Sequence, residues 1–251
     1  MDSLVLYQST DHKNVLLPEF DAGEAVPANQ HVIVHGKEAM ILDPGGHKVY
    51  NRVLQATLKE SKGAKLVHVF LSHQDPDIVA AVNGWLMTTD AQAWCPSLWT
   101  RFVPHFGLDR LVINRLHGVP DQGMRLPLGG VDMLVLPGHF LHSPGNLHLY
   151  DPVSKILYTG DLAASVGVPY REVPDIHAHL LAMEGFHRRY MSSSAAARGW
   201  VRMARTLDME VIAPQHGAII RGRDNIDIFL DWLEQLPCGI DAMPDCFVLP
   251  A

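Results

Sequence analysis

Leu66-Val67-His68-Val69-Phe70-Leu71-Ser72-His73-Gln74-Asp75-Pro76-Asp77-Ile78 is the stretch that decides the fold. An apolar strand, Leu66 to Leu71, runs into an imidazole and two carboxylates on alternate positions, and a helix-like stretch from Ile78 to Met87 follows at once. In an α/β sheet, ligand-binding groups collect at the carboxyl ends of strands. His73, Asp75 and Asp77 stand at i, i+2 and i+4, so in an extended turn their donor atoms converge. A plain strand end with an Asp N-cap before a helix accounts for Asp77 and partly for Asp75. It leaves His73 unexplained.

Working outward, residues 3–9 read as a short strand followed by a polar, Pro-containing loop. His31 to His35 and Glu38 to Leu42 are apolar runs around Gly36-Lys37, a β-hairpin pattern closed by the turn Asp43-Pro44-Gly45-Gly46. Val49, Val53, Leu54, Ala56 and Leu58 predict an amphipathic helix over 48–60, ending near Gly63. Ala91 to Cys95 reads as a strand and Leu98 to Phe106 as a helix. Then the pattern changes: 111–116, 124–128, 131–136, 147–150 and 155–159 are short β-like runs with Gly, Pro and Asp between them, a meander. Helices are predicted over 174–190, 194–207 and 224–236, with a strand from Glu210 to Ala213. Ile226, Phe229, Leu230 and Leu233 share one face of the last helix. A strand–helix half, a meander and a helix–strand–helix half predict the α/β class, as an αββα sandwich.

The 251 residues contain no Pro/Gly/Ser-rich linker, repeat or low-complexity tract, so a single domain over 1–251 is expected. The balance of 20 basic against 27 acidic residues, −7, argues against nucleic acid or an anionic membrane surface as the main partner. The N-terminal residues lack a positive region and a long apolar core, and no apolar run approaches transmembrane length. Cys95, Cys238 and Cys246 form no evident disulfide framework, which suits a reducing cytoplasm. The 15 histidines are many for this length.

Three further strand ends carry similar chemistry. They are Leu136-Pro137-Gly138-His139-Phe140-Leu141-His142-Ser143-Pro144-Gly145-Asn146, Ile156-Leu157-Tyr158-Thr159-Gly160-Asp161 and Val211-Ile212-Ala213-Pro214-Gln215-His216-Gly217. Singly, each is an ordinary turn. Together, the four strand ends offer three imidazoles (His73, His142, His216) and three carboxylates (Asp75, Asp77, Asp161). A mixed nitrogen and oxygen set without thiolate suits two divalent ions of iron, manganese or zinc. A central carboxylate can bridge such a pair, and Asp161 is the natural candidate.

These segments resemble the metallo-β-lactamase fold, and more closely the diiron domain of flavodiiron proteins. The family's first motif is His-x-Glu-x-Asp-His, which His73-Gln74-Asp75-Pro76-Asp77-Ile78 matches with two departures. Asp75 stands for the usual Glu and Ile78 for the terminal His. Hydrolases of this fold show His-x-His-x-Asp-His, and the second and third His are absent here. That weakens a zinc-hydroxide reading, which leans on nitrogen-rich coordination. Flavin-free, oxygen-binding diiron proteins of bacterial signalling are similar also through Phe140 to Asn146 and Gly185-Phe186-His187-Arg188-Arg189-Tyr190-Met191.

The resemblance implies two iron ions, one held by His73, Asp75 and His142 and the other by Asp77 and His216, with Asp161 bridging. No FMN is expected within the chain. Dioxygen is the implied ligand, with nitric oxide as an alternative. The implied macromolecular partner is a signalling protein such as a chemoreceptor or, for an oxygen or nitric oxide reductase, a separate flavoprotein. A homodimer is expected. The position of Ile78 is expected to leave one ion with fewer protein ligands and an apolar wall. Among lesser candidates, His139 is read as supporting the ligands, His187 and Tyr190 as lining the pocket or packing, and His177 and His179 as facing solvent. Cys238 and Cys246 read as ordinary thiols.

Overall fold

The computed structural model describes residues 2–20 and 26–249. They fall into two compact units. One comprises the described residues up to Pro137 together with Leu147–Ser154, and the other comprises Gly138–Asn146 with the residues from Lys155 onward.

The first unit is built on a seven-stranded sheet in sequence order: β1 (Leu4–Gln8), β2 (His12–Leu16), β3 (His31–His35), β4 (Glu38–Leu42), β5 (Lys65–Phe70), β6 (Gln92–Pro96) and β7 (Leu116–Val119). The first four pair antiparallel and β4 to β7 pair parallel. Parallel pairing requires a crossover, supplied between β4 and β5 by helix α1 (Tyr50–Ser61). Helices α2 (Pro76–Val79) and α3 (Val82–Thr88) follow β5. Val15, Val32, Ile41, Val53, Val69, Leu71, Ile78, Trp85 and Ala93 belong to one apolar core cluster. A meander of β8 (Met124–Leu128), β9 (Val131–Pro137) and β10 (Leu147–Asp151) completes this unit. Gly129 and Gly130 make the two-residue turn between β8 and β9 with φ of 60° and 96°, as the primed hairpin turns require. A Cβ on Gly129 would sit 2.5 Å from the His35 carbonyl oxygen.

A buried polar knot joins the end of β10 to β2. The Asp151 carboxylate accepts from Asn14 Nδ2 at 2.7 Å and Ser154 Oγ at 2.6 Å and lies 2.7 Å from His12 Nε2. Burial alone would raise its pKa. The hydrogen bond and charge of His12, with the Ser154 and Asn14 hydrogen bonds, outweigh that and hold it below the ordinary carboxylate range.

In the second unit, β11 (Ile156–Tyr158) pairs parallel with β12 (Val211–Ala213), which pairs antiparallel with β13 (Ile220–Arg221). Helices α4 (Ile176–Tyr190), α5 (Ser194–Ala204) and α6 (Arg223–Gln235) accompany them. Asp175 caps α4 by accepting from the amides of His177 and Ala178, and Ser193 caps α5 through the Ala196 amide. The predicted face of α6 is buried, with Ile226, Phe229, Leu230 and Leu233 all inaccessible.

Several local expectations give way. Residues 12–16, read as loop, form β2, because His12 and Asn14 find buried partners distant in sequence. The single helix from Ile78 is two short helices. Residues 98–106 hold two 3-10 turns, Ser97–Trp99 and Val103–Phe106, not one helix, and 111–116 is largely a turn leading into β7. The short β13 was not anticipated. The N-cap of α2 is Asp75 rather than Asp77, which lies in the first turn behind Pro76.

Candidate metal centre

The first unit presents His73, Asp75 and Asp77 just beyond the carboxyl end of β5. The Leu71 amide still bonds to Trp94 of β6, at 2.9 Å, so sheet order persists to the last residue before the turn. The Ser72 amide then donates to Asp43 Oδ1 at 2.8 Å, and Ser72 oxygen accepts from the Leu147 amide at 2.9 Å. Ser72 Oγ lies 3.0 Å from His73 Nδ1. With Ser72 Oγ accepting, the ring proton stays on Nδ1 and Nε2 keeps its lone pair for a metal. His73 is buried, and its Nε2 lies 3.6 Å from Asp75 Oδ2. Gln74 Nε2 donates to the other Asp75 oxygen at 2.7 Å. Pro76 starts the helix, and the amides of Ile78 and Val79 bond back to the Asp75 carbonyl at 2.9 and 3.0 Å. Asp77 is partly buried. Ile78 is fully buried, a member of the apolar core cluster of this unit.

The second unit brings His142, Asp161 and His216 together. Asp161 Oδ2 lies 2.9 Å from His142 Nε2, and its other oxygen, Oδ1, lies 3.5 Å from His216 Nε2. One carboxylate thus turns a different oxygen to each of two imidazoles. Three separate loops hold this trio. The 138–146 loop closes on itself through Gly138 N–H to Asn146 oxygen (3.0 Å), Phe140 N–H to Ser143 oxygen (2.7 Å) and Asn146 Nδ2 to Leu141 oxygen (2.5 Å). The 159–165 and 214–218 loops are laced together by Gln215 N–H to Gly160 oxygen (2.7 Å), Ser165 N–H to His216 oxygen (3.2 Å) and Ala218 N–H to Ser165 Oγ (3.1 Å). Gly217, φ 83°, passes so close to Ser165 that a Cβ would fall 2.0 Å from its hydroxyl oxygen.

These side chains fit a pair of divalent ions chemically. They offer imidazole Nε2 atoms and carboxylates, no thiolate, and in Asp161 a carboxylate whose two oxygens each face a nitrogen donor.

Of the other histidines, one departs from its reading. His179, expected at the surface, is fully buried, with Nδ1 3.0 Å from the Tyr170 hydroxyl; burial lowers its pKa. His177 is exposed, as expected, and His139 is half-buried in the loop of His142. His187 is also fully buried and bonds to the backbone of the Asp161 loop. Tyr190 lies against His142 at 5.8 Å between ring centroids and stacks on Phe186 at 4.7 Å. Ser72 and Asp43, to which the sequence reading assigns no part in the site, together hold the backbone just before His73. A hydroxyl residue directly before a candidate ligand histidine is the one clue the sequence offers for the first of them.

Mixed α/β architecture with two sheets, and His and Asp donors at strand ends in this order, define a metallo-β-lactamase-like protein. Within that class, the chain belongs to the family described as ODP family beta lactamase, which matches residues 26–217. It is 38% identical to "Peroxy diiron species of chemotaxis sensor ODP", covering 98% of this chain and 100% of that one with a TM-score of 0.86. To "Apo state of chemotaxis sensor ODP from T. denticola" it is 39% identical, covering 98% and 99% with a TM-score of 0.84. The rubredoxin oxygen:oxidoreductase of the anaerobe Desulfovibrio gigas shares the fold at 15% identity, covering 92% of this chain and 61% of that one with a TM-score of 0.77. No curated protein matches.

Proposed function

We propose that this chain binds two iron ions through His73, Asp75, Asp77, His142, Asp161 and His216, takes up dioxygen there, and acts as an oxygen or redox sensor. The observation that carries the reading is Asp161, each oxygen of which faces a different imidazole. It is reinforced by full-length likeness to a chemotaxis sensor whose structure contains a peroxy diiron species.

Two ferrous ions, when bound, supply the electrons that let dioxygen be held in reduced form. The residues of the chain supply geometry. Asp161 would offer its carboxylate to both ions, one oxygen on the side of His142 and the other on the side of His216. Ser72 Oγ, 3.0 Å from His73 Nδ1, gives that ring nitrogen a hydrogen-bond partner and would leave Nε2 for the metal when the hydroxyl accepts. Hydrogen bonds tie the loop of Asp161 to the loop of His216 and so fix their spacing. Because redox turnover needs electrons from a cofactor and no FMN is expected here, further reduction would depend on a separate flavoprotein. We assign the chain to the cytoplasm, as a homodimer that reports to a signalling protein such as a chemoreceptor. Among the described residues no helix is long and apolar enough to cross a membrane.

The test is an optical spectrum of anaerobically prepared, ferrous-loaded protein before and after oxygen. A visible band that persists, at two irons per chain, is the expected result. A band that decays and returns only with reductant would favour an oxygen or nitric oxide reductase. Tightly held zinc with no band would favour a hydrolase.

A further inference from the structure

Asp161 sits in a loop that contains a left-handed residue other than glycine. Two residues on, Ala163 adopts φ 70°, the left-handed region that a residue with a Cβ avoids. Such a conformation is strained and persists only where surrounding groups enforce it. Within the loop, Thr159 Oγ1 donates to the Leu162 carbonyl at 2.6 Å, the Leu162 amide to Thr159 oxygen at 3.1 Å, and the Ala164 amide to Asp161 oxygen at 3.1 Å. The Ala163 amide instead points out of the loop, to the Nε2 of His187, 3.0 Å away on α4.

The imidazole is specified for this task. His187 is fully buried, and its Nδ1 lies 2.8 Å from the Met183 carbonyl oxygen one helical turn earlier. A carbonyl only accepts, so the ring proton is on Nδ1 and Nε2 is a lone pair, the one tautomer able to receive the Ala163 amide. Burial holds the ring neutral by pushing its pKa down to about 4. Its orientation is fixed by edge contacts with Phe186 and Trp232, at 5.5 and 5.3 Å between centroids. The same turn of α4 carries Phe186 and Tyr190, both packed on the His142 ring.

We propose that His187 is a positioning residue for the metal centre: its Nε2 holds the Ala163 amide and thereby aims the Asp161 carboxylate between His142 and His216. This rests on the diiron reading of Asp161. It assigns a role that a space-filling side chain of equal size could not perform.

The experiment compares His187→Phe, which keeps a ring but removes the acceptor, with His187→Gln, which offers a carboxamide oxygen near the position of Nε2. Val201→Ala, in the buried face of α5, serves as a control for loss of stability alone. Two readouts are taken. In metal-free protein, amide exchange over residues 162–165 reports loop order. Anaerobic titration with Fe2+, and with Co2+ read by its visible ligand-field bands, reports the centre. Faster exchange and about 10–100-fold weaker binding with altered Co2+ bands are expected for His187→Phe, with His187→Gln recovering most of each and Val201→Ala changing neither. Unchanged exchange in His187→Phe, or binding weakened as much in Val201→Ala, would overturn the proposal. A wild-type chain that takes up no Fe2+ would instead remove the diiron reading, and the exchange data would still decide the role of His187 in the loop. If His187→Phe does not fold, His187→Leu removes the same acceptor with a smaller side chain.

Discussion

His142 and Asp161, 19 residues apart in the chain, meet with Nε2 2.9 Å from Oδ2, each at the end of a different loop. The opposite oxygen of the carboxylate faces His216. Asp161→Asn preserves shape but replaces one acceptor oxygen by an amide donor and removes the charge that two cations would share. Thermal stability of the metal-free chain is expected to change little, while bound iron falls from two per chain to at most one. The loss of affinity should exceed the about 10–100-fold typical of losing a supporting hydrogen bond. Chelator-competition titration measures this, and two irons at wild-type affinity would end the case for a bridge.

Ser72→Ala isolates a supporting interaction. The hydroxyl meets His73 Nδ1 at 3.0 Å, whereas the backbone of Ser72 bonds independently to Asp43 and Leu147 and would stay in place. The fold should lose no more than about 1.5 kcal/mol, the net worth of an ordinary hydrogen bond. Iron affinity should fall by about 10-fold or more, because the imidazole loses a hydrogen-bond partner that orients its ring. A variant with less stability but unaltered affinity would show that Ser72 serves only the strand end.

The neutral His187 makes the stability of the fold pH-dependent. Its folded pKa, lowered to about 4 chiefly by burial and despite the Met183 hydrogen bond and the charge of Asp161, lies below the ordinary 6.5. Between these values the unfolded chain binds a proton that the folded chain does not, so stability falls as pH drops from 6.5 towards 4 and this contribution levels off below. At full size the loss is about 3 kcal/mol. Denaturant midpoints of the metal-free protein over that window should fall for wild type and fall less for His187→Gln. Parallel curves would show that another group dominates the acid limb.

Much of this architecture was legible beforehand, for a physical reason. Strands such as 31–35, 38–42 and 124–128 are short apolar runs between turn residues, and their bounds depend on local chemistry. The donor residues stood out because carboxylates and imidazoles at four apolar strand ends have few structural uses. What stayed hidden depends on partners far along the chain. His12 and Asn14 look like loop residues until Asp151 is beside them, and His179 looks solvent-facing until Tyr170 covers it. The left-handed Ala163 has no sequence signature, since glycine is the residue expected there. Residues 98–106 have helical spacing but contain Pro104, and they break into two short turns.

Ile78 tests how far the family motif governs this chain. Similar diiron domains carry His at this position, whereas here the side chain is wholly inaccessible and packed in the apolar core of its unit. Ile78→His exchanges an apolar group for one that needs hydrogen-bond partners, at a cost of about 1–3 kcal/mol in metal-free protein. If the new imidazole reaches an ion, iron returns stability in proportion to its improved binding, since a ligand that binds only the folded state stabilises by RT ln(1 + [L]/Kd). The expected result is a lower melting temperature without metal, together with a larger ferrous-dependent rise than wild type shows. An equal rise in both proteins would mean that position 78 serves the core alone, and that the motif was shortened because this chain's centre does not use a fourth imidazole.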